Sequence, residues 1–111
     1  MNINTQLVDA ILAIDIEGRL DTQTYAAALD ELLAHIDAKP DKVLIRLSSL
    51  EFVSSAGLRV ILRIAKQVSG YGGELKVSSA QGVVQEVLAI SGFDKLLDLH
   101  KDEAEAIASF Q

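Results

Sequence analysis

The sequence predicts an α/β fold: a mixed, largely parallel β-sheet with an N-terminal antiparallel hairpin at one edge, three main helices and a C-terminal helix. Three observations lead there. Two short apolar runs near the N-terminus, residues 3–7 and 11–17, are separated by no more than a tight turn. Apolar strand-like runs and helical apolar spacings then alternate to the end of the chain. The resulting order, β-β-α-β-α-β-α-β-α, makes the later strands parallel neighbours joined by right-handed crossovers.

In the first run, Ile3, Thr5 and Leu7 alternate with polar residues, the period of a strand. Val8-Asp9-Ala10 reads as the turn, and residues 11–17 as the second strand, with Leu12, Ile14 and Ile16 on one face and Gly18 ending it. Asp21-Thr22 offers a helix N-cap, after which Tyr25, Ala28, Leu29, Leu32, Leu33 and Ile36 recur at intervals of three and four. Lys39-Pro40-Asp41 stops this helix, because the residue before proline disfavours helical backbone. Residues 43–47 form a short apolar strand, and 55–69 a second helix with Leu58, Ile61, Leu62 and Ala65 at helical spacing. Gly70-Tyr71-Gly72-Gly73 ends it, and Leu75 and Val77 mark the next strand. Residues 81–90 carry Val83, Val84, Val87 and Leu88 as a third helix, closed by Ser91-Gly92. A last strand is expected at 96–99, then a final helix over 101–110 with Ala104, Ile107, Ala108 and Phe110 on one side. With so few helices, the sheet is expected to be covered mainly on one face.

At 111 residues the chain is expected to be one domain, 1–111, long enough for a real core. Half of it is hydrophobic (50%) and 23% charged, which excludes a disordered chain. A net charge of -6 argues against nucleic acid, whose phosphates would repel it, and suits a soluble protein that meets other proteins. There is no cysteine, so no disulfide framework or thiolate metal site, in keeping with a cytoplasmic location. Asn2, Asn4, Thr5, Gln6 and Asp9 stand where a signal peptide would have its basic start and apolar block. No apolar run approaches a membrane span, so no membrane partner is expected.

In sheets of this kind, sites gather at the carboxyl ends of strands, where loops lead into helices. Two such loops are readable: Gly18-Arg19-Leu20-Asp21-Thr22 and Phe52-Val53-Ser54-Ser55-Ala56-Gly57. A helix start carries unpaired N–H groups and partial positive charge, so a hydroxyl or a phosphate is stabilised there. Ser54 and Ser55 therefore read as caps or as a modifiable site, and both hold if Ser54 caps and Ser55 stands exposed in the first turn. Asp21 divides evenly between cap and contact residue. Gly57 reads as a small residue that allows close packing, and Leu58 as core or as an apolar anchor.

Other chemistries find little support. Gly70-Tyr71-Gly72-Gly73 lacks the lysine and following helix of a phosphate-binding loop. His35 and His100 have no second histidine at ligand spacing, so neither a metal nor a cofactor is expected. A hydrolase elbow requires Gly-x-Ser-x-Gly, but Val53 stands two before Ser55, and His100 is the only later histidine. No catalytic residues are assigned and no enzyme is expected.

The two loops carry a resemblance. Gly18-Arg19-Leu20-Asp21, and Leu47-Ser48-Ser49-Leu50-Glu51-Phe52-Val53-Ser54-Ser55-Ala56-Gly57-Leu58, resemble the STAS domain, and more closely the stand-alone bacterial anti-sigma-factor antagonists. The resemblance covers essentially the whole chain. It implies a partner-switching protein that binds a serine-kinase anti-sigma factor and is restored by a PP2C-type phosphatase. In the family's Asp-Ser-Ser/Thr-Gly pattern the phosphorylated position falls on Ser55, with Ser54 as runner-up, and the acidic residue of the first loop on Asp21. The chain departs from that pattern: Ser54 replaces the usual acid, Ala56 the following hydroxyl, and Arg46 a frequent Asp or Asn. The partner-binding patch implied is Asp21, Thr22, Ser54, Ser55, Ala56, Gly57 and Leu58. The alternative is a STAS module that binds a protein or senses a small ligand without phosphorylation.

Overall fold

The hairpin at the N-terminus depends on a turn that few residues adopt. Strands β1 (Asn2–Val8) and β2 (Ile11–Leu20) pair antiparallel from Asn2↔Glu17 to Val8↔Ile11. The linking residues Asp9 and Ala10 both have positive φ, 50° and 65°, as in the turns whose twist matches that of the flanking strands. The computed structural model describes residues 1–110.

Strand β2 is the spine of the sheet. From Leu12 to Asp15 it pairs parallel with β3 (Lys42–Arg46). From Gly18 to Leu20 it pairs parallel with β4 (Leu50–Val53). Strand β5 (Glu74–Ser78) then pairs with β3, and β6 (Leu99–His100) with β5, both parallel. The path across the sheet is β1-β2-β3-β5-β6, with β4 attached to β2.

Alternation along the strands sorts the side chains onto two faces. Ile14 and Ile16 of β2, Val43 and Ile45 of β3 and Val77 of β5 enter the main core. There they meet Leu32 of α1 (Tyr25–His35), Ile61 and Ile64 of α2 (Ser55–Gly70), and Val84 and Leu88 of α3 (Gly82–Ser91). Leu44, between two core residues, points to the other face. It packs with Ile11 and with Ala106 of α4 (Glu103–Ser109), flanked by Ile107 and Phe110. The three longer helices cover one face, as expected, and the short α4 covers part of the other.

Ion pairs attach α4 to that second face. The Arg46 guanidinium donates to both Asp15 carboxylate oxygens at 2.6 and 2.7 Å and to Glu103 at 2.9 Å. Asp15 first, then Glu103, raise the affinity of Arg46 for its proton. Lys76 donates to Asp98 at 2.6 Å, and the His100 ring lies 2.9 Å from Asp98 and 3.2 Å from Glu105.

Several expected boundaries move. Gly18 does not end β2: at φ 93° it absorbs a register shift, and the strand continues to Leu20. Strand β4 occupies residues read as loop. The last strand lies at Leu99–His100, because a 3-10 turn at Phe93–Lys95 intervenes. In α4 the residue turned inward is Ala106, and Ala104 and Ala108 are exposed. That rotation brings Glu103 to Arg46 and Glu105 to His100. The first helix starts at Tyr25 instead of Asp21.

Candidate functional site at the start of the second helix

The candidate site follows from how β2 and β4 end. The two run parallel with Leu20 and Val53 in register, so the loops beyond them leave the same end of the sheet side by side. The Ser54 N–H donates to the Leu20 carbonyl at 3.0 Å and ties one loop to the other.

The first loop is a closed turn. The Asp21 carboxylate accepts the Gln23 N–H at 3.0 Å. The Thr24 hydroxyl donates to the Arg19 carbonyl and accepts the Asp21 N–H, each at 2.9 Å. These bonds use the groups that would have capped a helix beginning at Asp21, and α1 opens from Thr24 with no side-chain cap. The Gln23 N–H, helped by Thr24 and Arg19, holds the Asp21 carboxyl below its ordinary range. Arg19 approaches that carboxylate at 3.5 Å and lies 4.5 Å over the Phe52 ring.

The second loop separates the two serines. Ser54 has extended backbone, and its hydroxyl accepts the Gly57 N–H at 3.2 Å, so Ser54 is the N-cap of α2. Ser55 is the first helical residue and is exposed, and its hydroxyl has no hydrogen-bond partner among the described residues. Ala56 is half-buried.

Gly57 and Leu58 lie inside the protein. A Cβ on Gly57 would stand 2.4 Å from the Leu20 carbonyl oxygen and 2.9 Å from both Leu20 Cγ and Val53 Cγ2. Only glycine lets α2 approach the sheet this closely. Leu58 is 1% exposed and belongs to the core, so its reading as a surface anchor is corrected. Of the seven expected patch residues, Thr22 and Ser55 are exposed, Asp21, Ser54 and Ala56 are half-buried, and Gly57 and Leu58 are buried.

The patch opens onto a groove of about 650 Å³ between α1 and α2. Leu29, Ala56 and Val60 line its apolar part, Thr22 and Tyr25 its α1 side, and Arg59 and Arg63 its α2 side. Tyr25 is 41% exposed there. Neither arginine has an ion-pair or hydrogen-bond partner among the described residues. The sequence reading missed Tyr25, Arg59 and Arg63. Their signal was the spacing of two arginines one turn apart on α2, beyond the serine motif.

Comparison with known proteins agrees with this architecture. The STAS domain family matches residues 2–106. BtrV of Bordetella bronchiseptica, provisionally named an anti-sigma factor antagonist, is 32% identical over 111 residues, covering 100% of this chain and 96% of BtrV. An anti-sigma F factor antagonist of Paenibacillus polymyxa is 27% identical over 104 residues, covering 91% of this chain and 87% of that one. The crystal structure of an anti-sigma factor antagonist from Mycobacterium paratuberculosis superposes with a TM-score of 0.88 at 20% identity, over 97% of this chain and 92% of that one. The superposition on that structure and a family match over residues 2–106 lead to one assignment: the chain belongs to the STAS domain family.

Proposed function

We infer that this protein is an anti-sigma factor antagonist that works by phosphorylation-controlled partner switching. It binds a serine-kinase anti-sigma factor through the patch around Ser55 and so frees a sigma factor. The kinase phosphorylates Ser55, the complex weakens, and a PP2C-type phosphatase restores it. The protein is a binding partner, with no catalysis of its own.

The observation that carries this reading is the difference between the two serines. Ser54 spends its hydroxyl on the Gly57 N–H, whereas Ser55, one residue later, is exposed and has no partner among the described residues. A kinase needs an accessible hydroxyl, which favours Ser55. A phosphate at the first residue of α2 meets the positive end of the helix, so the fold tolerates it. Its effect falls on the partner, through bulk, hydration and about two added negative charges.

Phosphopeptide mass spectrometry after incubation with the anti-sigma kinases of the source organism tests the assignment, together with titration of the kinase that binds. Label on Ser55 and weaker binding of the phosphorylated chain are expected. Ser55→Ala should stay bound and unmodified. Unchanged affinity after stoichiometric Ser55 phosphorylation would refute the switch and favour a STAS binding module that works without phosphate.

A further inference from the structure

The groove between α1 and α2 is chemically unlike the rest of this acidic chain. The protein carries a formal net charge of -6, yet two arginines without partners among the described residues flank one apolar groove. The other two arginines pair within the chain, exposed Arg19 with Asp21 and largely buried Arg46 with Asp15. Arg59 and Arg63 are left for something outside. They sit four residues apart on α2, about 6 Å along the axis, which matches two carboxylates one turn apart on a facing helix. The apolar floor of Leu29, Ala56 and Val60 would take the apolar side of such a helix.

The groove also adjoins the serine. Ala56 lines it and is chain neighbour to Ser55. Ser55 and Arg59 are spaced i,i+4 on α2, so their side chains are neighbours on its surface. A phosphate on Ser55 is therefore within reach of the arginine that borders the groove.

We propose that the α1–α2 groove seats an acidic, apolar-faced helix of the anti-sigma partner, held by Arg59 and Arg63, and that phosphate on Ser55 ejects it partly by capturing Arg59. This rests on the reading of Ser55 as the switch residue. It adds the surface that is contested and the means. The dianion does more than repel: it removes one of two cations from the partner and leaves a net negative mouth on the groove. Arginine suits both duties, because its planar fork can grip a carboxylate or a phosphate.

The probe is the serine-kinase anti-sigma factor of the source organism that binds the unmodified chain, titrated calorimetrically at about 50 and about 300 mM NaCl. Arg59→Ala/Arg63→Ala should bind at least about tenfold more weakly at the lower salt and lose most of the parent's salt dependence. Its melting temperature should match the parent's, since both side chains are exposed and make no ion pair or hydrogen bond among the described residues. With Arg59→Ala alone, Ser55 phosphorylation should weaken binding several-fold less than in the parent, because the captured cation is already gone. A separate arm needs no partner. With phosphoserine installed at position 55 during synthesis, a phosphorus NMR titration should show the phosphate holding its second proton to higher pH in Arg59→Ala than in the parent.

Parent-like affinity and salt dependence in the double variant, with the parent still released by phosphate, would overturn the groove while leaving the proposed function standing. Identical phosphate titrations in parent and Arg59→Ala would overturn the capture step. If none of the organism's anti-sigma kinases binds the unmodified chain, the proposed function fails and the groove assignment with it.

Discussion

Gly57→Ala tests the packing that positions the serine pair. The new Cβ would lie 2.4 Å from the Leu20 carbonyl oxygen, roughly 1 Å inside ordinary contact. That oxygen cannot swing aside, because it belongs to β2 and accepts the Ser54 N–H at 3.0 Å. The start of α2 must retreat, loosening Leu58 and Ile61 in the core. Overpacking of this kind costs about 1–3 kcal/mol, and the fixed backbone places it at the upper end. Alanine returns up to about 1 kcal/mol of helix propensity, leaving a net loss of about 2 kcal/mol. In a domain of this size that lowers Tm by about 10 °C. Gly70→Ala is the internal control: it lies at the end of the same helix with nothing within 4 Å of the added Cβ. It should be neutral or stabilising by about 0.5 kcal/mol. Urea unfolding followed by circular dichroism measures both, and the unfolded-state effect of glycine replacement is common to the pair. A Gly57→Ala protein as stable as Gly70→Ala would refute the close-approach argument.

The remaining predictions use other contacts. Ser54→Ala should cost about 1 kcal/mol through loss of the cap on the Gly57 N–H, while Ser55→Ala should stay within about 0.5 kcal/mol of the parent; equal effects in urea melts would contradict the assigned roles. Arg46→Ala leaves Asp15 and Glu103 facing each other without their cation and should cost about 2 kcal/mol, below the cost of breaking a fully buried pair because both carboxylates reach water. For Asp98, burial raises the carboxyl pKa, but Lys76 and His100 together outweigh it and hold the group below its ordinary 3.8. A folded pKa below the unfolded one means that stability is present above the unfolded value and lost as pH falls through the folded value. The parent's Tm should therefore fall more steeply than that of Asp98→Asn between about pH 5 and 3, and parallel curves would refute the pairing.

How much of this was legible depends on what kind of signal each element leaves. The hairpin, the β3–α2 crossover and the α2 face were readable because each carries several turns or periods of apolar spacing. Strand β4 was not, since it has only four residues, lies between Ser48-Ser49 and Ser54-Ser55, and pairs with β2 only from Gly18 to Leu20, across an irregularity. The start of α1 misled for a chemical reason: the Asp and Thr groups that cap a helix also close a turn, and here Asp21 and Thr24 do the second. The face of α4 was undetermined locally, because its alanines permit more than one rotation. Arg46, 57 residues from Glu103, and His100, just before the helix, select one through Glu103 and Glu105. At the site, the motif marked both serines but could not separate them, since a cap is defined by where its hydroxyl points. The spacing of Arg59 and Arg63 was visible, but that they share a groove with Tyr25 depends on how α1 packs on α2.

The order of residues at the start of α2 separates what holds the helix from what it presents. Ser54 bonds inward to the helix backbone, Gly57 presses against Leu20, and Leu58 is core, so three of these five consecutive residues serve the fold. Ser55 lies between them, yet its hydroxyl has no hydrogen-bond partner among the described residues. Its backbone is fixed by the neighbours on both sides while its side chain is free. A group placed this way can gain charge without disturbing the core, and it holds that charge at a defined position relative to Asp21, Ala56 and the groove. A serine on a mobile loop would lack that fixed relation. The departure from the family pattern is intelligible on these terms. With Ser54 in place of an acid, the cap on the Gly57 N–H is a neutral hydroxyl. Under the proposed switch, phosphate would then be the first full negative charge carried by α2 itself in its opening turn, where the helix dipole favours it and the groove's arginines are nearest.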